Sequence, residues 1–149
     1  MKKKKISIVT GVFNEEVIVR DVYEEIKKTL SPFKNRYNYE HIFMDNCSTD
    51  ATLQILKSIA KKDKNVKILS YSKNFGPEKS GFMGLMYTSG DAMIPYEGSM
   101  KDPASLIPQF IKYWGQGYEL VYGIRKKTAD NVLMRLTRRL FYKIVRFLS

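Results

Sequence analysis

Two rhythms of apolar and polar positions alternate along this chain. Ile6-Ser7-Ile8-Val9-Thr10 is a short β-rich run, and predicts a strand buried on both faces that Gly11 ends. From Glu15 to Leu30, Val17, Val19, Val22, Ile26 and Leu30 recur near helical spacing, and Pro32 closes that segment. Tyr39 to Met44 predicts a second strand. Ser48-Thr49-Asp50 supplies caps for a helix carrying Leu53, Ile55, Leu56 and Ile59. Val66 to Tyr71 predicts a third strand, and Asn74-Phe75-Gly76-Pro77 a turn into a helix ending near Gly90. Ala92 to Tyr96 reads as a fourth strand. Asp102-Pro103 starts a helix that runs to about Trp114, with Gly115 and Gly117 stopping it. Glu119 to Tyr122 reads as a fifth strand, and Asn131 to Leu148 as a last helix.

Strand and helix therefore alternate from end to end. That predicts an α/β fold with an open, mostly parallel sheet and helices on both faces. Such sheets bind ligands beyond the carboxyl ends of their strands. The loops that matter are then 11–15, 45–48, 72–76, 97–102 and 123–125.

Composition narrows the class. Apolar residues make up 44% of the 149, which fits one globular domain. Lys and Arg number 26 against 15 acids, a net +11 that favours an anionic partner. One cysteine, Cys47, and one histidine, His41, exclude an intrachain disulfide and a Cys- or His-rich metal site. The start, MKKKKISIVTGVFNEE, has too short an apolar run for a signal peptide. No stretch reaches the roughly 18 apolar residues that span a bilayer. No G-x-G-x-x-G follows the first strand and no P-loop is present.

In the loops, Asp45 beside Asn46 has the chemistry to hydrogen-bond a base or ribose; a cap and turn is the other reading, since Asp, Asn and Ser favour turns. Arg125, with Lys126 and Lys127, follows the fifth predicted strand, suited to a diphosphate, with a solvated charge run as the alternative.

The ordered segments ISIVTGVFNEE, FMDNCSTDATLQIL, SKNFG, GDAMIPYEGSMKDPASLIPQFIKYWGQGYELVYGIR and RLTRRLFYKIVRFLS together resemble a family 2 glycosyltransferase. The likeness covers almost the whole chain and is strongest to the polyprenyl-phosphate glycosyltransferases of the dolichol-phosphate mannose synthase type. It implies a GT-A (Rossmann-like) fold over residues 1–130. It implies transfer of a sugar from a UDP- or GDP-linked nucleotide sugar to a polyprenyl phosphate or similar lipid phosphate. The resemblance places Val12, Asn14, Glu15, Asp45 and Asn46 around the nucleoside and Arg125 at the diphosphate. Gly11 stands where the family often has Pro, and Asn46 where a second acid is common.

The family's metal loop reads Asp-x-Asp-x-Gln-Asp-Pro. Aligned through Asp102-Pro103, its first Asp is Glu97, its second is Ser99 and its Gln is Lys101. Mg²⁺ or Mn²⁺ prefers carboxylate oxygens to an ammonium, so a metal at Glu97 and Ser99 is expected to be weakly held or absent. Three readings follow. The chain is an inactive nucleotide-binding or scaffold relative; or Lys101 supplies the missing positive charge; or substrate phosphates complete a poor metal site. Asp102 carries over as an active-site carboxylate, with a helix N-cap as its structural alternative.

Residues 131–149 form the other expected unit. Arg135, Arg138, Arg139, Lys143 and Arg146 lie on one side of the predicted helix, and Leu133, Leu136, Leu140, Phe141, Ile144 and Leu148 on the other. From Arg125 to Ser149 there are eight basic residues and one acid. That pattern suits an anionic membrane interface, and a helix packed on the core is the alternative. The expectation is a cytoplasmic protein peripheral to the inner face of the membrane, with homo- or hetero-oligomeric pairing open. Nucleic acid is not an expected partner, because no such motif appears. The resemblance implies acceptor-side segments beyond Ser149, supplied by a longer chain or a partner.

Overall fold

The structure, a computed structural model, describes residues 3–97, 103–124, 137 and 141. It divides into two compact units, residues 1–118 and 119–149. Four strands make the sheet of the first unit: β1 (Lys5–Val12), β2 (Asn38–Asp45), β3 (Val66–Ser70) and β4 (Ala92–Glu97). They lie in the order β3-β2-β1-β4, all parallel. Register pairs Val12 with Asp45, Asp45 with Ser70 and Gly11 with Glu97. The carboxyl ends of all four strands therefore finish at one rim.

Helices α1 (Val19–Leu30), α2 (Thr52–Lys62), α3 (Pro77–Leu85) and α4 (Ile107–Gly115) join and cover these strands. On one sheet face Ile6, Ile8, Val12 and Phe43 pack with Val19, Val22 and Ile26 of α1, Leu56 of α2, and Ile107 and Ile111 of α4. Residues of the opposite parity meet α3. A Cβ on Gly84 would overlap the Met44 sulfur and come within 3.0 Å of Val9 Cγ1, so only a residue without a side chain lets α3 lie this close. Helices on both faces follow from right-handed crossovers, with α3 crossing back toward β4. The fold is the expected open parallel α/β sheet.

Several boundaries moved. β1 runs through Gly11 to Val12, because Gly11 pairs with both β2 and β4 and the ladder with β2 continues past it. α1 starts at Val19, not Glu15; residues 15–18 form a turn closed by Ile18 and Val19 N–H donating to the Glu15 carbonyl. α3 ends at Leu85. A 3-10 turn at Ala104–Leu106 precedes α4. The fifth strand is a correction: Glu119–Tyr122 form no strand, and among the described residues no ladder partner accompanies them. β propensity alone does not order a strand, and Pro95 withholds one ladder donor from β4. In the second unit Thr137 and Phe141 are helical and exposed; the rest of the predicted helix at 131–148 lies outside the described residues.

The amino ends of the strands are tied by a buried carboxylate. Glu40 accepts from Ser7 Oγ (2.6 Å) and Ser89 N (2.7 Å) and pairs with Lys67 Nζ (2.7 Å) and Lys5 Nζ (3.1 Å). Burial works to raise its pKa, but Lys67, Ser7, Ser89 and Lys5 outweigh that and hold it well below the usual carboxylate range. Beside it His41 is buried against Phe43, its Nε2 2.9 Å from Thr10 Oγ1, and burial lowers its pKa to about 3.

Both groups bind protons more readily in the unfolded chain, so both take stability away as pH falls. His41 acts first, from its unfolded value of 6.5 downward, and Glu40 below its unfolded value of 4.5. Between about pH 6 and pH 5 the slope is set by His41 and should approach about 1.4 kcal/mol per pH unit. Urea denaturation across that window checks it: His41→Gln, which keeps a partner for Thr10, should flatten the slope.

Candidate nucleotide-binding rim

Each rim loop begins where a buried strand runs out of partners. The β1 loop (13–18) and the β2 loop (46–51) satisfy each other. Asn14 N donates to Ser48 Oγ (3.0 Å), and Thr49 N to Asn14 Oδ1 (2.8 Å). Glu15 N donates to Thr52 Oγ1 (2.8 Å), Glu16 N to Asp50 Oδ2 (3.1 Å), and Ala51 N to Glu16 Oε2 (2.7 Å). Asp50 also accepts from Thr52 N (2.9 Å) at the start of α2. Burial tends to raise the Asp50 pKa, but Thr52 and the Glu16 amide prevail and hold it below its ordinary value.

The β2 and β3 loops are joined through one amide. Asn46 Nδ2 donates to Asn74 Oδ1 (2.8 Å), and Asn46 Oδ1 accepts from Phe75 N (2.9 Å). Gly76 N donates to the same Asn74 Oδ1 (2.8 Å). Two backbone donors therefore fix the orientation of both side-chain amides. Asn46 N closes the join to β1 by donating to the Val12 carbonyl (2.9 Å). Asn14 and Cys47 take left-handed backbone at φ 53° and 65°, and Gly76 at 80°. For Asn14 the side-chain bonds support that conformation; for Cys47 it is a strain of about 1 kcal/mol.

The expected nucleoside residues thus come together in part. Asn14, Glu15, Asp45 and Asn46 share the rim. Asp45 is 1% exposed; its carboxylate accepts from Ser48 N (3.2 Å) and Ser70 Oγ (3.2 Å), so it holds the turn. The Val12 side chain belongs to the core. Glu97 ends β4 and is exposed. Ser99, Lys101, Asp102 and Arg125 lie outside the described residues. The sequence pattern assigns Ser48, Thr49 and Asp50 to a helix cap and Asn74 to a turn; in the structure they and Thr52 lock the loops to one another. Lys73, in the 72–76 loop, is exposed at the rim with Nζ 5.1 Å above the Phe75 ring. The S/T/N/D clustering in STDAT and SKNFG was the available signal.

The donor set for a divalent cation is poor. Glu97 is the carboxylate that the metal-loop alignment leaves, followed in sequence by a serine and a lysine. Among the described residues no group of three His, Cys, Asp or Glu side chains is arranged to hold a metal ion. Of the ligand positions in the family's metal loop only Glu97 keeps a carboxylate, and Lys101 adds an ammonium to the same sequence, a donor set that does not suit Mg²⁺ or Mn²⁺.

The sequence pattern described as Glycosyl transferase family 2 matches residues 7–147. The chain is 38% identical over 143 residues to the bactoprenol glucosyl transferase of Shigella phage SfX, covering 94% of this chain and 46% of that protein. It is 33% identical over 140 residues to the glycosyltransferase YkcC of Bacillus subtilis, covering 93% and 43%. The chain thus spans slightly less than half the length of these relatives. Among solved structures it is similar to the mannosyltransferase PcManGT of Pyrobaculum calidifontis, in complex with GDP-Man and Mn²⁺. There the TM-score is 0.63 at 15% identity, over 76% of this chain and 32% of that one. Glucosyl-3-phosphoglycerate synthase of M. tuberculosis gives 0.59 at 23%, over 95% and 52%. At these identities the structural likeness speaks for the fold, a GT-A sandwich.

The Asn46–Asn74 join generates a prediction. Asn46→Asp keeps an acceptor for Phe75 N but sets a carboxylate oxygen against Asn74 Oδ1, which Gly76 N holds in place. We expect a loss of about 1–3 kcal/mol in denaturant unfolding, partly restored on protonating the new carboxyl at low pH. A variant as stable as the parent would show that the amide pair does not join the loops.

Proposed function

This chain belongs to glycosyl transferase family 2, and from that premise we propose that it takes part in sugar transfer from a nucleotide diphosphate sugar to a polyprenyl phosphate. The supporting observation is the rim itself: three loops from consecutive parallel strands, cross-linked by side chains, at the edge where such sheets bind ligands. Relatives named bactoprenol glucosyl transferases support the lipid-phosphate acceptor. Solved neighbours in complex with GDP-Man or UDP support the donor class.

In this reading the nucleoside lies against Asn14, Glu15 and the Asp45-Asn46 turn, and Arg125 meets the diphosphate. A lipid phosphate is already anionic, so the acceptor needs little from a general base.

Mn²⁺ in complexes of the fold neighbours keeps a divalent metal within the family's chemistry. The Glu97, Ser99, Lys101 donor set of this chain does not fit it, and no step here is assigned to a metal. Lys101 instead carries positive charge to the leaving diphosphate. The same loop favours a second reading, a nucleotide-binding scaffold without turnover that works beside a complete transferase at the membrane surface. Residues 131–149 would then supply the anionic-membrane contact.

Calorimetry separates these ideas. UDP- or GDP-sugars should bind without added metal. Arg125→Ala should weaken them at least tenfold while leaving the free nucleoside unaffected, since only the diphosphate loses a partner. If nucleotide sugars do not bind at all, the proposal fails. If turnover is present, Lys101→Gln should lower it; turnover that rises with Mn²⁺ and ignores Lys101→Gln would overturn the lysine's role.

A further inference from the structure

The pole of the first unit opposite the rim is basic and aromatic, and carries a groove. The groove, about 390 Å³, lies between the 3-10 turn at Ser31–Phe33 and α4. Phe33, Pro108 and Ile111 make its floor, and Arg36 and Lys112 line it as cations. Its volume falls within the range of small-molecule sites.

Three further observations bear on what it takes. First, its cations are not neutralised. The ion pairs among the described residues use Lys5, Lys27 and Lys67, and none involves Arg36 or Lys112. Arg36 lies over the Tyr37 ring at 5.3 Å and Lys4 over Trp114 at 5.2 Å, contacts that orient a cation and leave its charge intact. Second, positive charge accumulates here. Lys3, whose Nζ donates to the Lys34 carbonyl, and Lys34 itself join Lys4, Arg36 and Lys112, while residues 31–37 and 103–118 contain no acid. Cations near the carboxyl ends of α1 and α4 are expected from the helix dipole alone. That explains their presence beside the helices and leaves the apolar floor between two of them unexplained. Third, Phe33 and Pro108 present half-buried aromatic and hydrocarbon surface beneath the charges, backed by the buried Ile111.

We propose that this groove binds an anionic amphiphile, its phosphate or carboxylate head between Arg36 and Lys112 and its alkyl chain along Phe33, Pro108 and Ile111. The site is separate from the sugar-transfer rim. Strands of eight residues separate the two ends of the sheet by about 25 Å, too far for one lipid phosphate to serve both. The binding therefore stands whether or not the rim transfers a sugar. Its chemistry suits a membrane lipid drawn partly from the bilayer.

The single tryptophan is a built-in reporter. Trp114 packs against Tyr37, ring centroids 5.4 Å apart and tilted by 44°, next to the groove residue Gly115. Titration with dodecyl phosphate should give a saturable change in its fluorescence. Dodecyl maltoside, with a neutral head, should bind at least about tenfold more weakly, and inorganic phosphate should not compete at similar concentration. The double variant Arg36→Gln, Lys112→Gln should weaken dodecyl phosphate by about tenfold or more with an unchanged melting temperature, because both side chains are exposed. Ile111 is core, so the apolar arm is tested by chain length instead: octyl phosphate should bind more weakly than dodecyl phosphate. Equal affinity for the neutral amphiphile would reduce the groove to an unspecific apolar surface. Equal affinity for inorganic phosphate would make it a free-anion site. An unaltered double variant, or no fluorescence change at all, would place no amphiphile here. Any of these results overturns the proposal.

Discussion

One amide side chain constrains the functional end of this molecule. Asn46 is buried where β2 leaves the sheet, and three of its polar groups are committed to two other segments, β1 and the β3 loop. Its backbone N–H goes to β1, its carboxamide N–H to Asn74 and its carboxamide oxygen to the amide of Phe75. Buried polar groups that lose a partner cost about 1–3 kcal/mol each, so the loops move together or not at all. The reciprocal pairing of Asn14 with Ser48 and Thr49 extends the same constraint to the β1 loop. A parallel sheet covered on both faces leaves polar chemistry only its ends, and at this end the polar groups are spent on holding shape as much as on presenting a ligand surface.

This changes what the departures from the family pattern mean. A neutral Asn46 where an acid is common suits a rim in which Asn74 Oδ1 is already fixed by Gly76. Asp45, read from sequence as either a ligand-binding or a turn-forming carboxylate, makes the turn. In the proposed nucleotide site its part would be to hold the backbone of residues 46–48. The opposite end of the sheet uses a different device, a buried Glu40 ringed by two lysines and two serines. That network ties β1, β2, β3 and the turn before β4 together without any ligand.

The alternating pattern of buried runs and amphipathic segments was legible in the sequence because parallel strands covered on both faces have few polar residues to confuse them. β1 to β4 and the helices between them follow from it, with ends displaced by one to five residues where ladder or helix bonding outlasts or falls short of local propensity. The strand expected at Glu119–Tyr122 did not follow, because a strand needs a ladder and no run of residues encodes its own partner. In the site, residue types that bind sugars and bases also make turns. Sequence located Asn14 and Asp45 at the rim. It could not tell which side chains face a ligand and which, like Thr52 and Asn74, face the neighbouring loop, since that depends on contacts across 25 to 40 residues. The basal groove left no signal, being built from two segments about 75 residues apart, each ordinary by itself.

The central claim is that the three loops form one preorganised surface for a nucleotide. Backbone NMR of the chain titrated with UDP, and separately with GDP, tests it most directly. The account predicts that one of them shifts the amides of residues 13–16, 46–51 and 72–76 along a single saturation curve, with residues 33–36 and 111–116 unmoved. Shifts confined to one loop, three curves with different midpoints, or changes centred on the basal groove would contradict it.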